Sequence, residues 1–181
     1  MKRFLAPAIS LFLIASVNHK ILSNSPQIKE KIPPQKEILA MEREVFELVN
    51  MERERQGLPT LSFSPELSLV ARKHSQDMAA HENLSHLSSS GKTYTDRLVE
   101  DRFFFKKNGE NVARSETFVA ELIHKGFMKS PGHRENILNP EFDELGVGVA
   151  LSDNNEYFVT QDFILSLIPK EEKEVRNEIK E

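Results

Sequence analysis

A chain of 181 residues is long enough for one domain with a real core. Apolar residues make up 39% and charged residues 29%, and a net charge of -4 without a basic block argues against nucleic acid as a partner. The absence of cysteine removes disulfides, thiol nucleophiles and Cys-ligated zinc, and without Trp the core has to come from Leu, Ile, Val and the twelve Phe.

Residues 1–23 read as an export signal or N-terminal anchor. Lys2 and Arg3 precede an apolar run from Phe4 to Val17, shorter than the roughly 20 residues that cross a bilayer as a helix. No further membrane span is expected. Residues 24–40, with Pro26, Pro33 and Pro34, read as a linker, with helical pattern setting in near Gln35. Ile38, Val45, Leu48 and Val49 share one helix face, and Glu42-Arg43-Glu44 and Glu52-Arg53-Glu54-Arg55 read as a solvated face. Gly57 is the expected helix stop.

Ser64-Pro65-Glu66 has the order of a helix start: a capping hydroxyl, proline at the first helical position, then an acid at the positive helix end. Leu67, Val70, Ala71, His74, Met78 and His81 then form one helical stripe that ends near Glu82-Asn83. A serine-rich loop over 84–93 carries His86, and residues 94–99 suit a short helical turn. Ser115 or Thr117 is expected to cap the next helix, whose apolar face is Phe118, Val119, Leu122, Ile123 and Phe127, and Pro131 ends it.

Leu145–Leu151 and Tyr157–Ile164 read as two strands joined by a hairpin loop at 152–156. Gly146 and Gly148 mark a close backbone approach on one face. With a strand near 103–105 and another near 111–114, the expected fold class is α+β, an antiparallel sheet flanked by helices. The domain then covers 41–166, and 167–181 form a charged tail, helical at most.

Four histidines, His74, His81, His86 and His133, fall in the middle of the domain, and His is a common metal ligand and proton carrier. His133 follows Ser130-Pro131-Gly132, a tight turn able to aim one ring at a fixed point. His86, Glu110 and His133 are the candidate cluster, although spacing alone does not join them. His74, on an apolar stripe, reads as a hydrogen-bonded core residue, and His124 as exposed. Ser130 lacks the G-x-S-x-G elbow of a serine hydrolase, and twenty-eight acids make a glycosidase-like carboxylate pair uninformative.

Several short motifs then line up in order: Leu84-Ser85-His86, Asp96-Arg97-Leu98, Gly109-Glu110-Asn111-Val112-Ala113, Phe127 to Leu138 around Ser130-Pro131-Gly132-His133, Leu145-Gly146-Val147-Gly148 and Gln161-Asp162-Phe163. Over about residues 41–166 the chain resembles the CAP superfamily of SCP-like, cysteine-rich secretory and pathogenesis-related proteins, in its bacterial, disulfide-free branch. The resemblance implies an α-β-α sandwich with a central antiparallel sheet. It also implies a cleft of two histidines and two acids, which in several relatives binds a divalent metal. His86 matches the first histidine, Glu110 the first acid and His133 the second histidine. The second acid is missing: Phe127 stands at the family's Trp position and Ser130 at the acid position. Ser130, Asn111 and Gln161 are further cleft residues.

The N-terminal signal and the resemblance together imply an exported CAP-domain protein, extracellular, periplasmic or envelope-associated. The leading expectation is a non-catalytic binding module for an envelope component, lipid or protein, with a cleft able to bind zinc or another divalent metal through two His and one Glu, water being the fourth ligand. One alternative is a metal-dependent, peptidase-like hydrolase with Glu110 as general base. Another is a lipid or sterol binding protein.

Overall fold

The structure, a computed structural model, describes residues 33–168. The export signal, much of the linker and nearly all of the charged tail lie outside the described residues. The described chain runs α1 (Gln35–Arg55), β1 (Ser62–Phe63), α2 (Pro65–His81), α3 (Tyr94–Glu100), β2 (Phe105–Ser115), α4 (Ala120–Lys129), α5 (Pro131–Ile137), β3 (Glu144–Leu151) and β4 (Tyr157–Ser166). Four strands form one sheet in the order β1-β3-β4-β2. The three long strands are antiparallel as expected, but the short β1 joins β3 in parallel, so the sheet is mixed.

Helix boundaries follow local chemistry. The Ser64 hydroxyl accepts from Leu67 N at 3.3 Å, a cap worth about 1 kcal/mol. Thr93 and Asp96 form a reciprocal capping box on α3. Gly57 takes a left-handed φ of 73° just beyond α1, as its position suggested. The start of α4 differs from the sequence expectation. Its N-cap is Val119 without a side-chain bond, because Ser115 and Thr117 are used in a local turn before it, Ser115 Oγ donating to Thr117 O at 2.7 Å. Pro131 ends α4 and also opens α5, where its missing N–H costs nothing. The two separate strands expected near 103–105 and 111–114 are one continuous strand, β2.

Strand alternation sends side chains to opposite sheet faces. Leu145, Val147, Val149, Val159 and Phe163 pack with Val45, Val49, Phe127 and Ile137 from α1, α4 and α5. On the other face, Phe158, Val112 and Ile164 pack against Met78, Leu67 and Leu98 from α2 and α3. Each such buried aliphatic side chain contributes about 2 kcal/mol. On that second face Gly146 and Gly148 allow α2 to lie directly on β3. A Cβ at Gly148 would overlap the backbone of Ala71 and Arg72.

Two charged side chains read as solvated are fully buried instead. Arg53 sits beneath α5, donating to Pro59 O at 2.9 Å and to Ile137 O and Asn139 O at 2.8 Å each. A guanidinium can be buried this way because backbone carbonyls occupy its fork. Here it ties the end of α5 to α1. Glu42 is buried against Arg72, with contacts of 2.6 and 2.5 Å, and accepts from Val149 N at 3.2 Å. Together with Ser68 Oγ on Val147 N, it covers the β3 edge that the two-residue β1 leaves unpaired. Helical periodicity marks a face as polar but not whether a partner waits there. Ile38, on the first turns of α1, already belongs to the core.

Candidate functional site

The site straddles β2, whose only sheet neighbour among the described residues is β4. Glu110 and Asn111 are consecutive, so they point to opposite faces. Glu110 enters the α2/α3 side and Asn111 the α4/α5 side. Gly109 makes room beside them: a Cβ there would lie 2.7 Å from Asn136 Oδ1. Asn136 Nδ2 bonds Glu110 O at 3.1 Å and Asn111 Oδ1 at 2.9 Å, which fastens α5 to the outer edge of β2.

On the first side Glu110 is a buried hub. His86 Nδ1 lies 2.8 Å from its Oε1, and Arg97 Nη2 pairs with Oε2. Arg97 Nη1 also donates to His86 O and Lys92 O, each at 3.1 Å, so the same guanidinium anchors the 84–93 loop at both ends. His74 Nε2 approaches Oε2 at 3.8 Å but donates to Ser85 O at 2.8 Å. Burial holds His74 below its ordinary pKa despite the nearby carboxylate, so its contact with Glu110 is that of a neutral ring rather than an ion pair. Its place as a hydrogen-bonded core residue is the one its sequence stripe suggested. His86 is shifted the other way: its hydrogen bond to Glu110 raises its pKa. Its side chain is half exposed, so it is the face of the hub that solvent meets.

On the second side Asn111 Nδ2 donates to His133 O at 3.1 Å and to Gln161 Oε1 at 3.0 Å. Asn111 and Gln161 are fully buried and hold the start of α5 in place. The His133 ring stands edge-on to Phe127, with centroids 5.2 Å apart. Burial, and then the charge of His86, lower its pKa, so the two imidazoles sense each other across the β2 edge. Ser130 forms the joint between α4 and α5 without a side-chain cap bond. His124, read as exposed, is half-buried on α4, and burial lowers its pKa.

Three members of this site were not singled out as site residues from sequence: Arg97, His74 and Asp162. Asp162 lies opposite Glu110 in the β2–β4 register and is almost fully buried. Its oxygens meet no donor from the protein, and burial followed by the Glu110 charge pushes its pKa well above the carboxylate range. The sequence signal was available: an acid inside the run Tyr157–Ile164 that reads as a strand.

Glu110 has both oxygens engaged, and among the described residues no group of three or more His, Asp or Glu side chains is placed to hold a metal ion. His86 and His133 alone fall short of the three protein ligands usual for a zinc with open coordination. As arranged, the residues do not fit a zinc centre. A pocket of about 230 Å³ is lined by His74 and Arg97, which both approach Glu110, together with Lys73, Asp77, Lys92 and Glu100.

The fold is that of a CAP-type domain, and residues 46–163 match the model of CAP, the cysteine-rich secretory protein family. The chain belongs to that family. It is 35% identical over 154 residues to the uncharacterized protein YkwD of Bacillus subtilis (strain 168), covering 83% of this chain and 58% of that protein. It is similar to an extracellular protein containing a SCP domain from Bacillus anthracis str. Ames, with TM-score 0.64 and 35% identity over 73% of this chain and 44% of that one. An outer surface protein from Borrelia burgdorferi shares the fold, with TM-score 0.66 at 18% identity over 75% of this chain and 98% of its own. The chain thus spans little more than half of YkwD and less than half of the B. anthracis protein. No described helix is long and apolar enough to cross a membrane.

Proposed function

We propose that this CAP-domain chain is exported and acts as a non-catalytic binding module at the cell envelope, with the β2 edge between His86 and His133 as its ligand cleft. The observation that carries this reading is the engagement of both Glu110 oxygens by groups of the protein itself. Each oxygen keeps a second lone pair, but a general base must also reach the proton it takes, and Glu110 is buried behind the groups that hold it. Both Glu110 oxygens are held, one by a guanidinium and one by an imidazole. The hub is therefore built to position His86 and the 84–93 loop. An extracellular relative at 35% identity supports the location. The envelope component bound is a lipid, polymer or protein with groups that hydrogen-bond to imidazole.

A panel of peptide and ester substrates tests the non-catalytic part. The expected result is no turnover above buffer. Turnover that disappears in Glu110→Gln would replace this reading with that of a hydrolase.

A further inference from the structure

The family's cleft is expected to take a divalent metal, and this chain's cleft does not present one with a ligand set. We infer that Arg97 is the resident cation of the cleft and takes the position toward Glu110 that a divalent ion would otherwise claim. Three oxygens converge on this guanidinium: Glu110 Oε2, His86 O at 3.1 Å and Lys92 O at 3.1 Å. A carboxylate and two backbone carbonyls are the hard oxygen donors that divalent cations gather. Here N–H groups fill them. The guanidinium suits the role because it keeps its charge at any physiological pH and its planar fork reaches several acceptors at once. It is also nearly buried.

Glu110 is thereby kept in a supporting role. Its Oε1 holds His86 through Nδ1, an arrangement that in metal sites belongs to the outer shell and leaves Nε2 outward. With Oε2 on Arg97, no carboxylate is left to join His86 and His133 as a third ligand. The missing acid at Ser130 is part of the same pattern. A cleft whose cation is covalently part of the chain gains nothing from a second carboxylate.

The inference concerns the same cleft as the proposed binding function. It is read by metal content, so either can fail without the other. The untagged full chain is dialysed against zinc chloride and then against zinc-free buffer, and zinc per chain is counted by plasma mass spectrometry. Thermal melting with and without zinc runs alongside. Wild type is expected to retain no stoichiometric zinc and to melt at the same temperature in both buffers. Arg97→Ala frees Glu110 Oε2 and is expected to bind zinc at least about tenfold more tightly than wild type, a gain lost again in Arg97→Ala/Glu110→Gln. Arg97→Gln serves as the second variant, because it removes the charge while keeping a polar group under the loop.

Wild-type zinc binding of about one ion per chain that His86→Ala/His133→Ala abolishes would overturn the inference. So would folded Arg97 variants that bind zinc no better than wild type. If neither variant folds even with zinc present, the wild-type count decides: bound zinc contradicts the inference and its absence supports it.

Discussion

Glu110 on β2 and Asp162 on β4 face each other directly, and the protein supplies donors to only one of them. The Glu110 carbonyl accepts from Asn136 on the outer side of β2, so the two acids meet at a pair without ladder bonds between them, the closer kind of cross-strand pair. Two like charges there would repel, and burial followed by the Glu110 charge makes Asp162 hold its proton to higher pH than an ordinary carboxyl.

That proton has a consequence for stability. Unfolded, Asp162 ionises near about 3.9; folded, it ionises at much higher pH. Above the unfolded value the unfolded chain therefore binds fewer protons than the native one, and this group's contribution to stability falls as pH rises until the folded group also ionises. The slope for one proton is about 1.4 kcal/mol per pH unit. Asp162→Asn removes the titration. Its melting temperature relative to wild type is expected to rise as pH rises above about 3.9, the unfolded value. A difference that stays constant with pH would mean that Asp162 is ionised in the native state.

The imidazoles should titrate apart. His86 is raised by its bond to Glu110, so the stability it contributes is present below about pH 6.5 and is lost as pH rises through its folded value. His133 and His74 are lowered by burial. In a proton NMR titration His86 is expected to be the last of the three to lose its proton, and Glu110→Gln to bring it back toward the ordinary value. His86→Ala should raise His133, because part of the His133 shift comes from the His86 charge. Coincident titration of His86 and His133 would contradict the geometry of the hub.

Arg53 is the buried support of α5, and so of His133. Arg53→Met keeps the aliphatic bulk but leaves the carbonyls of Pro59, Ile137 and Asn139 without their donor. A loss of about 3 kcal/mol in denaturant unfolding is expected, from at least two buried acceptors left unsatisfied. A loss below about 0.5 kcal/mol, the ordinary range for a surface change, would mean that Arg53 is solvated as its sequence neighbours suggest.

The contact of α2 with β3 can be tested by one methyl group. Gly148→Ala has to displace helix backbone and is expected to cost at least about 2 kcal/mol. Gly132→Ala meets nothing within 4 Å and serves as the control, with an expected change within about 0.5 kcal/mol. Equal behaviour of the two variants would contradict the close approach.

His86, Glu110 and His133 became candidates because each lies in a short motif that matches the family pattern, and the structure brings His86 and Glu110 into contact. Gly109 and the Ser130-Pro131-Gly132 joint are local features that sequence displays. Arg97, His74 and Asp162 join the site through tertiary contacts, which leave no periodic trace. His74 looks like any residue on an apolar stripe, and Arg97 like any charge on a short helix. The solvated reading of Arg53 and Glu42 failed for the same reason. Whether a charged face meets water or a set of carbonyls depends on elements more than eighty residues away for Arg53 and more than one hundred for Glu42. The β3–β4 hairpin was readable from its two apolar runs, whereas β2 was read as two pieces and the parallel β1, only two residues long, was too short to carry a pattern.

The central claim is that the His86–His133 opening binds an envelope component without transforming it. The most direct measurement is retention of the purified chain on isolated bacterial envelopes, comparing wild type with His86→Ala/His133→Ala, both shown to be folded by circular dichroism. The expected result is retention of the wild type and its loss in the double variant, with no change in the composition of the envelopes. Equal retention of the two proteins, or release of envelope fragments that stops in Glu110→Gln, would contradict it.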